Sequence, residues 1–140
     1  MILRFLRLSL CLGASMLMTA CGVQKDLVST DGAVSHFHQL LDAQDYGAIY
    51  AQTNQQFRDA TKQDEFTAIL AAVHRKLGHV GVATRQGFNI NYDLAGAQIR
   101  VNYSTKFAEG DAQEEFVWRK SGETLALSSY NINSNALITK

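Results

Sequence analysis

The chain has 140 residues, no proline, and 13 basic against 13 acidic side chains. Its length fits a single domain. The balanced charge supplies no basic field, so no nucleic-acid partner is expected, and two cysteines are too few for a disulfide scaffold.

Residues 1–20 read as a secretory signal peptide. Arg4 and Arg7 give a basic start, and no residue from Leu8 to Ala20 is charged. The apolar run is shorter than the roughly 20 residues needed to cross a bilayer. It ends in Met18-Thr19-Ala20-Cys21. These four residues resemble the bacterial lipobox, Leu-Ala/Ser-Gly/Ala-Cys, with Met18 replacing a leucine of similar size. The resemblance implies that Cys21 receives a diacylglyceryl group, that signal peptidase II cuts before it, and that the new amino group is acylated. Several acyl chains give stable anchoring, at about 0.8 kcal/mol per buried methylene. Gly22 stands where an aspartate would resemble an inner-membrane retention signal of enterobacterial lipoproteins. The expected address is therefore the periplasmic side of a membrane, the outer in preference to the inner.

Cleavage removes two of the 13 basic residues (Arg4 and Arg7) and none of the 13 acids, so the mature chain is negative by two charges. Cys11 leaves with the signal and Cys21 is acylated. Stability must then come from a packed core, and about 120 residues suffice for one. Residues 21–30 look polar and aperiodic, a lipidated tether. Residues 31–134 carry the domain, and 135–140 read as a tail.

The domain opens with helices. Val34, Phe37, Leu40 and Leu41 recur at helical spacing, with Ser29, Thr30 or Asp31 as N-cap. Asp45 starts a short second helix carrying Ile49 and Tyr50. A third has the apolar stripe Phe66, Ile69, Leu70, Val73 and Leu77. Thr61-Lys62-Gln63-Asp64 resembles a capping box before it, and Gly78 closes it. The period then changes to two. Phe88, Ile90 and Tyr92 alternate with asparagines; Ile99, Val101, Tyr103 and Phe107 form a second strand; Phe116 and Trp118 a third. In the fourth, Leu125 and Leu127 change phase to Tyr130 and Ile132, which predicts a β-bulge near Ser128-Ser129. Short turns imply an antiparallel meander.

The fold class is therefore α+β, with N-terminal helices on one face of a four-stranded, curved antiparallel meander. Phe88, Ile99, Val101, Tyr103, Phe116, Trp118 and Leu125 should face the helices. The pattern around LLDAQDYGAIYAQT, with its Asp45-Tyr46 step, resembles the nuclear-transport-factor-2-like (cystatin-like) superfamily. TKFAEGDAQEEFVWRKSGETLALSSYNI resembles an uncharacterised bacterial group within it, domain of unknown function 4019. The resemblance covers about residues 31–134. It implies packing and turns but carries no catalytic motif, and the superfamily's extra strand between the second and third helices is not expected here.

Candidate chemistry is sparse. His36 and His38 are two apart on a helix and point about 200° apart, and His74 and His79 lie near a helix C-terminus. No cysteine or carboxylate cluster completes a ligand set, so no metal and no cofactor are expected. Glu114 shares the phase of Phe116 and Trp118 but starts its strand, and is expected at a solvated rim. Asp93 and Asp111 fall in turns, and no catalytic residue is assigned. The outward sheet face gathers polar side chains, among them Arg100, Asn102 and Arg119, a candidate surface for an envelope protein or glycan partner. The expected function is a non-catalytic binding or envelope-assembly module held to a membrane by lipid on Cys21. The alternative is a small enzyme or ligand carrier with the superfamily's pocket. A buried acid in a cavity lined by Trp118, Phe116 and Tyr103 would favour that alternative; a solid core would favour the first.

Overall fold

The computed structural model describes residues 17–139 of the chain. The expected signal segment, 1–20, lies almost wholly outside them. Helix α1 (Leu17–Asp42) is followed by the short α2 (Tyr46–Ala51) and α3 (Gln55–Ala60), then α4 (Gln63–Leu77). Strands β1 (Val80–Asp93), β2 (Gly96–Phe107), β3 (Gly110–Ser121) and β4 (Thr124–Asn133) form one antiparallel sheet in sequential order, and α5 (Asn135–Thr139) closes the chain. The α+β architecture is as the change of period indicates.

Helix α1 starts well before residue 31. Residues 21–30 are helical rather than an irregular tether, and Leu27 is buried in the core. Val23, Leu27, Thr30, Val34, Phe37 and Leu41 recur every three or four residues on the face that packs. Thr30 hides this period in the sequence. Its hydroxyl donates to the Asp26 carbonyl one turn back, which lets it be buried without an unpaired group. None of Ser29, Thr30 or Asp31 is an N-cap. The helix ends in a Schellman-type arrangement: Asp45 N–H donates to Leu40 O and Gln44 N–H to Leu41 O, with Gln44 at φ 57°.

Asp45 caps α2, its carboxylate accepting from Ala48 N–H. Helix α3 is an addition to the expected set. Asn54 caps it by accepting from Phe57 N–H, and Phe57 packs edge-on against Phe66. Lys62 is the N-cap of helix α4 and makes no side-chain capping hydrogen bond, so the capping box does not form. Its stripe is buried at Phe66, Leu70, Val73 and Leu77, but Ile69 is 52% exposed. Gly78 ends it at φ 73°.

On the sheet, Ile99, Val101, Tyr103, Phe116 and Trp118 are buried against the helices as expected. Phe88 shares their face, opposite Val101, but lies on an edge strand and is 51% exposed. Leu125 is only partly buried, and Leu127 takes the deep position opposite Trp118. The register shifts between Val117 and Trp118, leaving Ser128 as the extra residue of the expected bulge. At that bulge Thr53 bridges to Leu127: Asn54 N–H donates to Leu127 O and Leu127 N–H to Gln52 O. A single bridge thus stands where a further strand could lie. The tail is helical, and Lys76 Nζ donates to Leu137 O at 2.6 Å.

Polar contacts pin α1 across the sheet. At its N-terminal end Asp26 pairs with Lys120 and accepts from Tyr92 Oη at 3.0 Å. Burial raises the Asp26 carboxyl, but the Lys120 and Tyr92 hydrogen bonds outweigh it and hold the group below its ordinary value of 3.8. The Asp26 hydrogen bond raises Lys120 above 10.5. A lowered acid contributes stability above its unfolded value, lost as pH falls through its folded one; a raised lysine contributes below its unfolded value, lost as pH rises through its folded one. Asp26→Asn should therefore cost about 1–3 kcal/mol near neutral pH. In urea titrations at a series of pH values, the deficit should shrink below about pH 4 and again above about pH 10. A deficit independent of pH would exclude this ion pair as its source.

Candidate functional site

Between α1 and the first half of β1 lies an open cleft of about 530 Å³. It exists because β1 is irregular there, with register shifts between Val80 and Ala83 and between Arg85 and Gly87. Gly81 sits in the first irregularity, where a Cβ would meet Lys106 O at 2.8 Å. One wall carries Asp31, whose carboxylate receives Arg85 Nη1 at 3.1 Å and the Tyr103 hydroxyl. Burial, with Asp31 as hydrogen-bond partner and neighbouring negative charge, pushes the Tyr103 phenol far above its ordinary value. It stays a protonated donor at any physiological pH.

His38 also lines the cleft, and Glu114 lies behind it. The Glu114 side chain is fully buried on the helix-facing side of β3, not at a solvated rim. Residues 114, 116 and 118 keep one phase, and the helices cover the strand to its start. His38 Nε2 is 2.8 Å from Glu114 Oε2, which also accepts from the Thr105 hydroxyl. Oε1 accepts from Tyr130 Oη at 2.7 Å. Burial, and then the Glu114 charge, pushes the Tyr130 phenol well above its ordinary value, so it too remains a donor. Both carboxyl oxygens are thereby engaged by protein groups, as a buried carboxylate requires. Such an acid orients His38; it has no oxygen turned to the cleft to take a proton from a ligand.

The core behind these groups is filled. Phe116 meets Phe37, Tyr103 and Tyr130 with ring centroids 5.1, 6.0 and 5.0 Å away. Thus the structure has the buried acid of an enzyme-like pocket, but Phe116 and Trp118 are closed in, at 0% and 1% exposure.

Arg100, Asn102 and Arg119 share the outward sheet face, since Asn102 pairs with Glu115, Arg100 with Val117 and Gln98 with Arg119. The face is polar apart from the buried Val117, but its arginines have partners. Arg119 makes a bidentate pair with Asp93, at 2.8 and 2.6 Å, and Arg100 Nε lies 3.7 Å from Glu115. Cys21 is exposed on α1, at the end of the helix remote from the cleft's His38. Among the described residues no helix is long and apolar enough to cross a membrane.

Sequence reasoning missed the Glu114 cluster. The phase of Glu114 pointed inward, but no local signal tells how far the helices reach over a strand. The partners His38, Thr105 and Tyr130 lie 76, 9 and 16 residues away along the chain.

Helices on one face of a sequential antiparallel meander, with a buried carboxylate tying the first helix to the sheet, define a small α+β domain. Residues 33–130 match the family described as Protein of unknown function (DUF4019), and the chain belongs to that family. The matched segment takes in His38, Glu114 and its other partners; Cys21 and Asp26 precede it. No curated protein matches the sequence.

Proposed function

We propose that the protein is a bacterial lipoprotein, lipidated on Cys21, whose domain is a non-catalytic binding module at the periplasmic face of the outer membrane. The observation that carries the binding reading is the cleft. It is open, its walls present Asp31, Arg85 and Tyr103, and the acid behind His38 is saturated by protein donors. These features suit recognition of a polar segment of an envelope protein or glycan better than proton transfer.

The anchor and the domain are coupled in this reading. Asp26 and Leu27 are already fixed to the domain, so the lipid on Cys21 is only about 7 Å of helix away from the first buried side chain. The end of the sheet holding Tyr92, Lys120 and the exposed Leu94 then lies against the bilayer. The cleft, between Asp31 and Asp42 of α1, begins about 15 Å further out and extends to about 30 Å. Such a module meets its partner at a set height rather than on a loose leash.

The second reading, a small enzyme or ligand carrier resembling nuclear-transport-factor-2-like proteins, is favoured by one observation, the His38–Glu114 pair beside the cleft.

The test is made in the native host. Wild type should incorporate labelled palmitate and fractionate with the outer membrane; Cys21→Ser should do neither and accumulate as precursor. Label retained by the serine variant sinks the lipid reading. A photo-crosslinking residue at Gln39, beside the cleft, should capture an envelope component, and one at Asn102 should not. Capture at Asn102 alone moves the partner to the outward sheet face. No adduct at either position removes the binding reading.

A further inference from the structure

A second cluster of chemically capable side chains lies where two helices end. Asp42 is the last residue of α1, His74 is in the last turn of α4, and His79 follows the Gly78 turn. One ligand atom from each lies within 4.8 Å of the other two. We propose that Asp42, His74 and His79 form a binding site for one divalent transition ion of the zinc class. Asp42 also lines the far end of the cleft, but the inference requires no partner there.

The ligand chemistry is that of zinc: imidazole nitrogens and a carboxylate oxygen, with three protein ligands and a position left for water or an incoming group. The geometry needs little adjustment. His79 Nδ1 is 3.6 Å from Asp42 Oδ1, and ligand atoms of a tetrahedral zinc ion are about 3.3 Å apart, given bonds of about 2.0 Å. The two imidazole rings have centroids 5.3 Å apart and planes at 87°. Two imidazoles sharing one tetrahedral ion sit about 5 Å apart by the same bond length.

The backbone around the cluster is fixed before any ion arrives. Gly78 N–H donates to His74 O, Ala108 N–H to His79 O, and Glu109 N–H to Leu77 O. Asp42 Oδ1 accepts from Val80 N–H at 2.9 Å, which orients the carboxylate. Two helix C-termini, those of α1 and α4, bring the negative ends of their dipoles to the place where a cation would sit. A further observation points to a ligand. His74 Nε2 is buried and has no hydrogen-bond partner among the described residues, a costly state for a ring nitrogen. A bound ion would fix the ring and its tautomer. The sequence hid this set because its third member lies 32 residues before His74.

The test uses the untagged full-length protein in detergent, stripped with a chelator and titrated first with Co²⁺. One equivalent should bind with the visible absorption of low-coordinate cobalt, and Zn²⁺ should displace it. Zn²⁺ should also raise the melting temperature, as any ligand selective for the native state does. His74→Ala and His79→Ala should each weaken Zn²⁺ binding by about tenfold or more and reduce the thermal shift at equal Zn²⁺. Asp42→Asn keeps an acceptor for Val80 N–H and should also lose affinity. His36→Ala, exposed on α1, should bind as wild type. His79 is largely exposed, so its variant is expected to stay folded, which circular dichroism checks. Absence of stoichiometric uptake by wild type overturns the site. So does wild-type affinity in the folded His79→Ala protein.

Discussion

Glu114→Ala should cost about 3–5 kcal/mol of folding stability, more than any other single polar substitution in the domain. The carboxyl is fully buried and engages His38, Thr105 and Tyr130. Removing it leaves three polar groups facing a void, and each buried group left unpaired costs about 1–3 kcal/mol. The sum is not fully realised, because water can enter beside His38 from the cleft. Glu114→Gln should cost less. It retains the volume and one acceptor, the Thr105 hydroxyl can turn to accept from the new amide, and His38 can present a bare nitrogen in its other tautomer. Tyr130→Phe removes a single donor and should cost about 1 kcal/mol. Urea unfolding at neutral pH should give the order Ala, then Gln, then the phenylalanine variant. A loss under about 1 kcal/mol for Glu114→Ala would mean the side chain reaches solvent, and the reading of His38 as an oriented, protein-bound imidazole would go with it.

The polar ties of α1 show where sequence reasoning reaches its limit. Residues 112–120 alternate so that Glu114 and Lys120 fall on the same face as Phe116 and Trp118. Period-two logic thus gives Glu114 its direction, and the same alternation extends to Lys120, but the average preference of charged residues for solvent argues the opposite depth. Depth is decided by α1, which lays Asp26 over Lys120 and His38 over Glu114. Those complements lie 94 and 76 residues away, and no local window holds both halves. Asp31, receiving Arg85 and Tyr103, adds a third tie between them. Three separated polar contacts along one helix specify its register on the sheet, since sliding by one turn would leave all of them unpaired.

Other elements were legible to different degrees for equally physical reasons. Strand phase, the bulge at Ser128 and the Gly78 stop follow from side-chain period and backbone sterics, which are local. The start of α1 was hidden by Thr30, a polar residue on an apolar stripe that meets its need by bonding backward along its own helix. Helix α3 is six residues long, below the length at which a period can be recognised. Its mark was Asn54 three residues before Phe57, a cap whose side chain does accept from that N–H. Phe88 followed the right face and failed only on cover, because β1 is an edge strand.

Phe116→Ala and Trp118→Ala should each destabilise the domain by about 3–5 kcal/mol, from lost transfer energy and from the cavity left behind. Phe116 sits at the centre of the aromatic packing. Phe37 meets it edge-on at 82°, Tyr130 is tilted at 41°, and Trp118 stacks at 13°. Aromatic pairs add about 0.5–1.5 kcal/mol each beyond area, so Phe116→Leu should still cost more than its small volume change suggests. Trp118 behaves differently. Its indole N–H is buried without a partner among the described residues, so Trp118→Phe removes an unsatisfied donor together with some volume. The two terms oppose, and Trp118→Phe should retain most of the stability that Trp118→Ala loses. Phe88→Ala, half exposed on the edge strand, should change stability by less than about 1 kcal/mol. Trp118 is the chain's single tryptophan, so its emission should be blue-shifted in the native state and shift red on unfolding, giving a direct probe for the Phe116 and Phe88 variants. Circular dichroism serves for the Trp118 series. If Phe88→Ala proved as costly as Phe116→Ala, the edge of the sheet would be covered in solution. If Trp118→Phe proved as costly as Trp118→Ala, the indole nitrogen would have a partner, and a buried water would be the first to seek.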